Sequence, residues 1–254
     1  MIRSSKPTTI AEAAYRVPFL FPTLRARPAT ARRRRAAGAI TRSPTPGGSL
    51  STQHSPIADE QILDFLVKEG LRPGSAEELT SALRRIRLLA TYYYENCPWA
   101  DIREHETRSF LVMPLLLALG WAEQQLKVEL TVPKAGRVDV ACFSKPYQRD
   151  EKGKPNNSDC VLIIETKGFS SGLDYAPKQA RAYATYFPSC EAFAVTNGYC
   201  YKMYKRDDSG EFPKQPFAYL NLLRPRDKYP LDPDNVRGAL AVLQLLLPRS
   251  WLQT

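Results

Sequence analysis

At 254 residues and 28.6 kDa, the chain has room for one large or two small domains with a buried core. No apolar run approaches the ~18 residues of a membrane span; the longest, Leu240 to Leu247, is interrupted by Gln244 and stopped by Pro248. The net charge of +10 is unevenly spread: residues 1–55 hold ten Lys/Arg against one acid, Glu12, and the rest of the chain holds 26 basic and 25 acidic residues. A nucleic-acid surface on the body must therefore come from arrangement, not from total charge.

Five cysteines (Cys97, Cys142, Cys160, Cys190, Cys200) are odd in number and form no CxxC pair. That argues against a disulfide scaffold or a structural zinc site and points to a reducing, cytoplasmic setting. With His54 and His105 the only histidines, chemistry must rest on carboxylates, lysines or tyrosines.

Residues 1–55 contain Arg32 to Arg35 in a row and the run Ser43-Pro-Thr-Pro-Gly-Gly-Ser49, without a sustained apolar period. Such a segment cannot offset the entropy of ordering it. The composition fits a disordered tail, a basic arm gripping phosphates, an organelle transit leader or a gene start set too far upstream.

Residues 56–100 read as a helical lead-in and 101–254 as the main domain. Ile62, Leu63, Phe65 and Leu66 predict a helix from Asp59 to about Lys68, ended by Gly70. Ser75-Ala-Glu-Glu78 predicts a capping box opening a second helix through Leu79, Leu83, Ile86 and Leu89. A third begins near Glu104 and runs to Gly120, with Pro114 inside it to bend it or break a hydrogen bond. The period then becomes two: Leu126, Val128, Leu130 and Val132 alternate with polar residues, as do Val138, Val140 and Cys142.

After a polar loop from Lys145 to Ser158, the apolar run Cys160 to Ile164 predicts a central strand buried on both faces. A helix over Tyr175 to Tyr186 follows, then strands Ala192 to Thr196 and Tyr199 to Tyr204 around an Asn197-Gly198 turn. A strand around Phe217 to Leu223 and a helix from about Pro233 to Leu247 close the chain. The order α–β–β–β–α–β predicts an α/β fold, a mixed central sheet flanked by helices behind a helical lead-in.

Three residues stand out chemically. Asp139 interrupts an apolar strand, and Glu165 and Lys167 close another, two residues apart and so on one face. Taken singly each has an ordinary explanation, and a solvent-facing Glu-x-Lys pair is worth ~1 kcal/mol or less. Ending a buried strand with both groups is costly unless they work together. If the two strands pair, two acids and a lysine converge, oxygen ligands of the kind that Mg²⁺ favours. A divalent ion beside a lysine ammonium suits phosphodiester cleavage.

From about Glu106 to Lys205 the chain resembles the PD-(D/E)xK nuclease superfamily, and within it the N-terminal nuclease domain of type I restriction enzyme R subunits. The resemblance lies in Glu106-Thr-Arg-Ser-Phe-Leu-Val-Met-Pro-Leu-Leu-Leu-Ala-Leu-Gly-Trp121, Arg137-Val-Asp139-Val, Leu162-Ile-Ile-Glu165-Thr-Lys167, Gln179-Ala-Arg-Ala-Tyr183, and Ala194-Val-Thr-Asn197-Gly198 with Tyr201-Lys-Met-Tyr204. It departs in reading Val-Asp where the family often has Pro-Asp.

The resemblance implies a restriction-endonuclease-like core and DNA cleavage dependent on Mg²⁺ or Mn²⁺. Glu106, Asp139 and Glu165 would lie near the metal, Lys167 near the scissile phosphate, and Gln179 and Tyr183 would support the site. Gln179 and Tyr183 also fit a solvated glutamine and a half-buried packing tyrosine, and Glu106 fits a helix first turn favoured by the dipole alone. There is no Gly-x-x-x-x-Gly-Lys phosphate loop, so separate specificity, methylase or motor subunits are expected partners beside DNA. The rival readings are a catalytically silent nuclease fold that binds DNA or scaffolds, and a small-molecule or tRNA-processing enzyme on the same fold.

Overall fold

The computed structural model describes residues 55–97, 101–133, 136–149, 158–230 and 232–251; the readings made for residues 1–54 and 150–157 lie outside it. Helix α1 spans Asp59–Lys68, as its apolar spacing predicts, and buries Ile62 and Leu66. Helix α2 spans Ala76–Asn96, but the Ser75 capping box does not form. Pro73–Ser75 is a 3-10 turn that leaves Ser75 already helical. No extended residue remains there to fold its side chain back onto the first N–H groups.

The third predicted helix is three pieces end to end: α3 Glu104–Thr107, a π-helical turn Arg108–Val112 and α4 Met113–Ala118. Pro114 accounts for the division. It has no N–H and its ring crowds the carbonyl four residues back, so the preceding turn widens. Met113 accordingly donates to the carbonyl of Arg108, five residues back.

Strands β1 Leu126–Val132, β2 Gly136–Phe143, β3 Cys160–Thr166, β4 Ala192–Thr196, β5 Cys200–Lys205 and β6 Ala218–Asn221 form one sheet in sequence order. All neighbours are antiparallel except β3 and β4, which are parallel and joined through α5 Ala176–Tyr186. The fold is thus α/β, a six-stranded mixed sheet flanked by helices, with β5, β6 and α6 Ala239–Leu246 following the α–β–β–β–α–β order as the closing strands and helix that the sequence predicts. Both β3 and β4 are buried along their whole length. One face packs against α1, α2, α4 and α6 through Ile62, Leu83, Leu115 and Val242, so the lead-in helices share a core with the strands. The other face is covered by α5 through Ala180, Tyr183, Ala184 and Phe187.

Three local readings need correction. The turn between β4 and β5 is wider than two residues: Thr196 pairs with Tyr201, and Asn197 Oδ1 closes the loop by accepting the N–H of Cys200 at 3.0 Å. The last helix starts six residues late. Arg237 bridges to Ala218 at the edge of β6, and a side chain on Gly238 would stand 2.1 Å from the Asp227 carbonyl, so this stretch serves the sheet edge.

The alternation of β1 also breaks. Leu126 lies in the core under α2 and α4, Leu130 and Val132 lie in the core under α5, and Val128 between them is 40% exposed. At Glu129 the backbone takes φ +53°, a left-handed conformation that turns the strand over. β2 switches with it, Val140 packing in the first core and Val138 in the second. The register stays in step, Val128 opposite Val140 and Leu130 opposite Val138, so Glu129 stands opposite Asp139 at the switch.

Candidate active site

The last paired residues of β2 and β3 at this end of the sheet are Val140 and Ile164. Beyond them the Asp139 carboxylate takes over from the ladder. Its Oδ2 accepts the backbone N–H of Thr166 at 2.7 Å and the Thr166 hydroxyl at 2.6 Å, and its Oδ1 accepts from Arg108 Nη1 at 2.9 Å.

Glu165, one residue before Thr166, is 2% exposed. Strand alternation carries it to the face of Ile163, the α5 side. Lys167 Nζ donates to Glu165 Oε1 at 2.7 Å, and Glu165 Oε2 is buried with no hydrogen-bond partner among the described residues. Burial pushes the Glu165 carboxyl up, the Lys167 hydrogen bond opposes it, and the charges of Asp139 and Glu104 add to the rise, leaving it at about 7. Burial works to lower Lys167, but the carboxylates of Glu165 and Glu104 outweigh it and hold the ammonium above its ordinary value.

The structure brings Asp139, Glu165 and Lys167 together and leaves Glu106 at the end of its helix. Glu106 Oε2 accepts the N–H of Arg103 at 2.7 Å, so its carboxylate caps the first turn of α3. Glu104 is the acid that reaches the pair, its Oε1 3.4 Å from Lys167 Nζ. Among the described residues no group of three or more His, Cys, Asp or Glu side chains is gathered to hold a metal ion.

Gln179 and Tyr183 meet each other, Gln179 Nε2 donating to the Tyr183 hydroxyl at 2.9 Å. Tyr183 is buried under the sheet, and its hydroxyl lies against Gly136, where an added Cβ would stand 2.9 Å away. The pair braces the start of β2, the strand that carries Asp139.

Sequence reasoning missed Arg108, Glu129, Thr166 and Glu104. Arg108 left a signal: it precedes Leu111 and Leu115 at helical spacing, and a charge on an apolar stripe demands partners. Glu129 left none, because alternation alone makes it an outward polar residue.

A cavity of about 800 Å³ lies at the opposite end of β3, lined in part by Asp159, Val161, Glu191 and Lys205, and does not reach this site. All five cysteines are free, and burial pushes the thiols of Cys142, Cys160 and Cys190 up, which suits packing residues. No helix among the described residues is long and apolar enough to cross a membrane. Compared with models of known families and with curated protein sequences, the chain matches none.

Proposed function

We propose that this chain is a divalent-metal-dependent endonuclease of the PD-(D/E)xK kind that hydrolyses phosphodiester bonds in DNA. The observation that carries the reading is the meeting of Asp139, Glu165 and Lys167 where β2 and β3 part, with Glu165 Oε2 buried and without a partner among the described residues. A buried polar atom left unsatisfied costs roughly 1–3 kcal/mol, and more when charged. An acid is expensive there unless a ligand supplies the missing partner. The α–β–β–β–α–β order, with α5 crossing between parallel β3 and β4, supports a restriction-endonuclease-like core.

The donor set fits Mg²⁺ or Mn²⁺. Such an ion commonly takes one or two carboxylates and completes its shell with water and phosphate oxygens. Asp139 Oδ1 accepts one hydrogen bond and keeps a lone pair, and Glu165 Oε2 keeps both. These two atoms would hold the ion, which supplies the positive charge that stabilises the phosphoryl group in the transition state. Lys167 has three N–H donors, of which Glu165 and Glu104 occupy two. The third is left for a non-bridging phosphate oxygen, where an ammonium offsets the developing charge. DNA as the substrate rests on the motif resemblance. Translocation and sequence choice would belong to subunits or segments outside this chain, which has no Gly-x-x-x-x-Gly-Lys loop.

The test is relaxation of supercoiled plasmid DNA in Mg²⁺, in Mn²⁺ and in EDTA. Metal-dependent nicking that disappears in Asp139→Asn supports the reading. Folded wild type that nicks in neither metal refutes it.

A further inference from the structure

We propose that Arg108 is the positioning residue of this site: its guanidinium holds the Asp139 carboxylate in the orientation that cleavage requires, and Glu129 holds the guanidinium. The inference rests on the nuclease reading above and adds residues that the reading does not use.

Arg108 is 7% exposed, and a charge so buried has to be paired. Its planar fork spans two strands: Nη1 donates to Asp139 Oδ1 at 2.9 Å and Nη2 to Glu129 Oε1 at 2.7 Å. Arg137 Nη1 donates to the other Glu129 oxygen at 3.1 Å, closing the outer side of the chain of charges. Glu129 and Asp139 are the facing residues at which the β1–β2 pair changes from one core to the other. Two unusual backbone features meet at this guanidinium. Arg108 opens the π-helical turn, and Glu129 holds φ +53° without being glycine. The turn follows from Pro114; the Glu129 conformation persists only where surrounding contacts determine it, and strained backbone of that kind gathers at functional sites.

The contacts have a consequence for Asp139. Thr166 fills Oδ2 with two hydrogen bonds, but the carboxylate can pivot about that one oxygen. The Arg108 bond to Oδ1 stops the pivot and leaves one lone pair in a fixed direction. Lysine cannot replace this geometry, because a single ammonium has no rigid fork to span two acids. Arg108 is itself a cation beside the place where a metal would sit, so its removal relieves a repulsion. Loss of Arg108 should therefore leave cation affinity unweakened while cleavage slows. A residue that merely stabilised the fold would lose both together.

The experiment uses the full chain as wild type, Arg108→Met and Glu129→Asn. Asparagine tolerates the left-handed backbone and is too short to reach Arg108. Mn²⁺ binding is measured by calorimetry, and single-turnover nicking of plasmid DNA is measured at saturating Mn²⁺. Misplacement of a reacting group by about an ångström can cost ~100-fold, so Arg108→Met should nick about 30-fold slower or worse, and Glu129→Asn several-fold slower. Arg108→Met should bind Mn²⁺ at least about as tightly as wild type, because a competing cation is removed, whereas Glu129→Asn, which removes an acid that offsets Arg108, should lose far less affinity than rate. An unchanged rate in either folded variant overturns the proposal, as does Mn²⁺ binding that weakens in step with the rate. If Arg108→Met does not fold, Glu129→Asn decides. A folded wild type that neither binds Mn²⁺ nor nicks DNA refutes the nuclease reading and this inference with it; an active wild type with indifferent variants refutes the Arg108 role alone.

Discussion

Thr166 donates twice to a single oxygen of Asp139, its backbone N–H at 2.7 Å and its hydroxyl at 2.6 Å both ending on Oδ2. Asp139 is therefore a structural acceptor that finishes the pairing of β2 with β3. From sequence, removing one acid from a cluster of like charges is expected to relieve repulsion. The three donors on Asp139 reverse that expectation. Asp139→Ala leaves the buried Arg108 arm and the Thr166 N–H without their acceptor, which should cost about 2–3 kcal/mol. Urea unfolding checks this, and a variant as stable as wild type would contradict it.

Glu165 should give the metal-free protein a pH-dependent stability of a definite sign. Its carboxyl sits at about 7 in the folded state against 4.5 ordinarily, first because of burial. Between those values the native state holds a proton that the unfolded state has released, so stability falls as pH rises through the window. At about 1.4 kcal/mol per pH unit, the full effect is on the order of 3 kcal/mol. In EDTA, wild type should lose this much relative to Glu165→Gln between about pH 4.5 and 7.5. A difference between the two proteins that stays flat across that range would show that the burial of Glu165 carries no such penalty.

Gly136 and Tyr183 give a test of the helix α5 pair. Gly136 holds φ +118°, and an added Cβ would stand 2.9 Å from the Tyr183 hydroxyl. Gly136→Ala should therefore destabilise by about 1–2 kcal/mol through backbone strain, and pairing it with Tyr183→Phe should recover only part of the loss. Tyr183→Phe alone forfeits a hydrogen bond to the exposed Gln179 and should cost less than about 1 kcal/mol. Because that hydroxyl braces β2, cleavage should change by less than about tenfold, below the usual contribution of a general acid or base. A larger loss in a folded Tyr183→Phe would place the hydroxyl in the chemistry.

Much of the central sheet was legible in the sequence because burial on both faces leaves an unbroken apolar run, as from Cys160 to Ile164. Glu165 and Lys167 were legible from a spacing of two after that run, and Asp139 from a charge inside an apolar strand. What escaped was set by contacts between distant segments. Nothing at Glu129 announces a left-handed backbone, since its conformation is held by Arg108 and Arg137 from elsewhere in the chain. The choice of Glu104 over Glu106 beside Lys167 turns on which acid the N–H of Arg103 captures, a matter of helix phase that two acids so close in sequence leave open. Gly238 gave no sign that the backbone of Arg226 and Asp227 would press against it and delay α6.

The measurement that bears most directly on the proposed activity is nicking of supercoiled plasmid DNA by wild type and Lys167→Ala, matched for folding by circular dichroism. Lys167 bridges Glu165 and Glu104 at the strand end, and its loss leaves both core faces of the sheet intact. Wild type should nick in Mg²⁺ or Mn²⁺ and not in EDTA, and the folded variant should be inactive in all three. Equal nicking by both proteins, or none by folded wild type in either metal, would contradict the assignment of Asp139, Glu165 and Lys167 as a nuclease site.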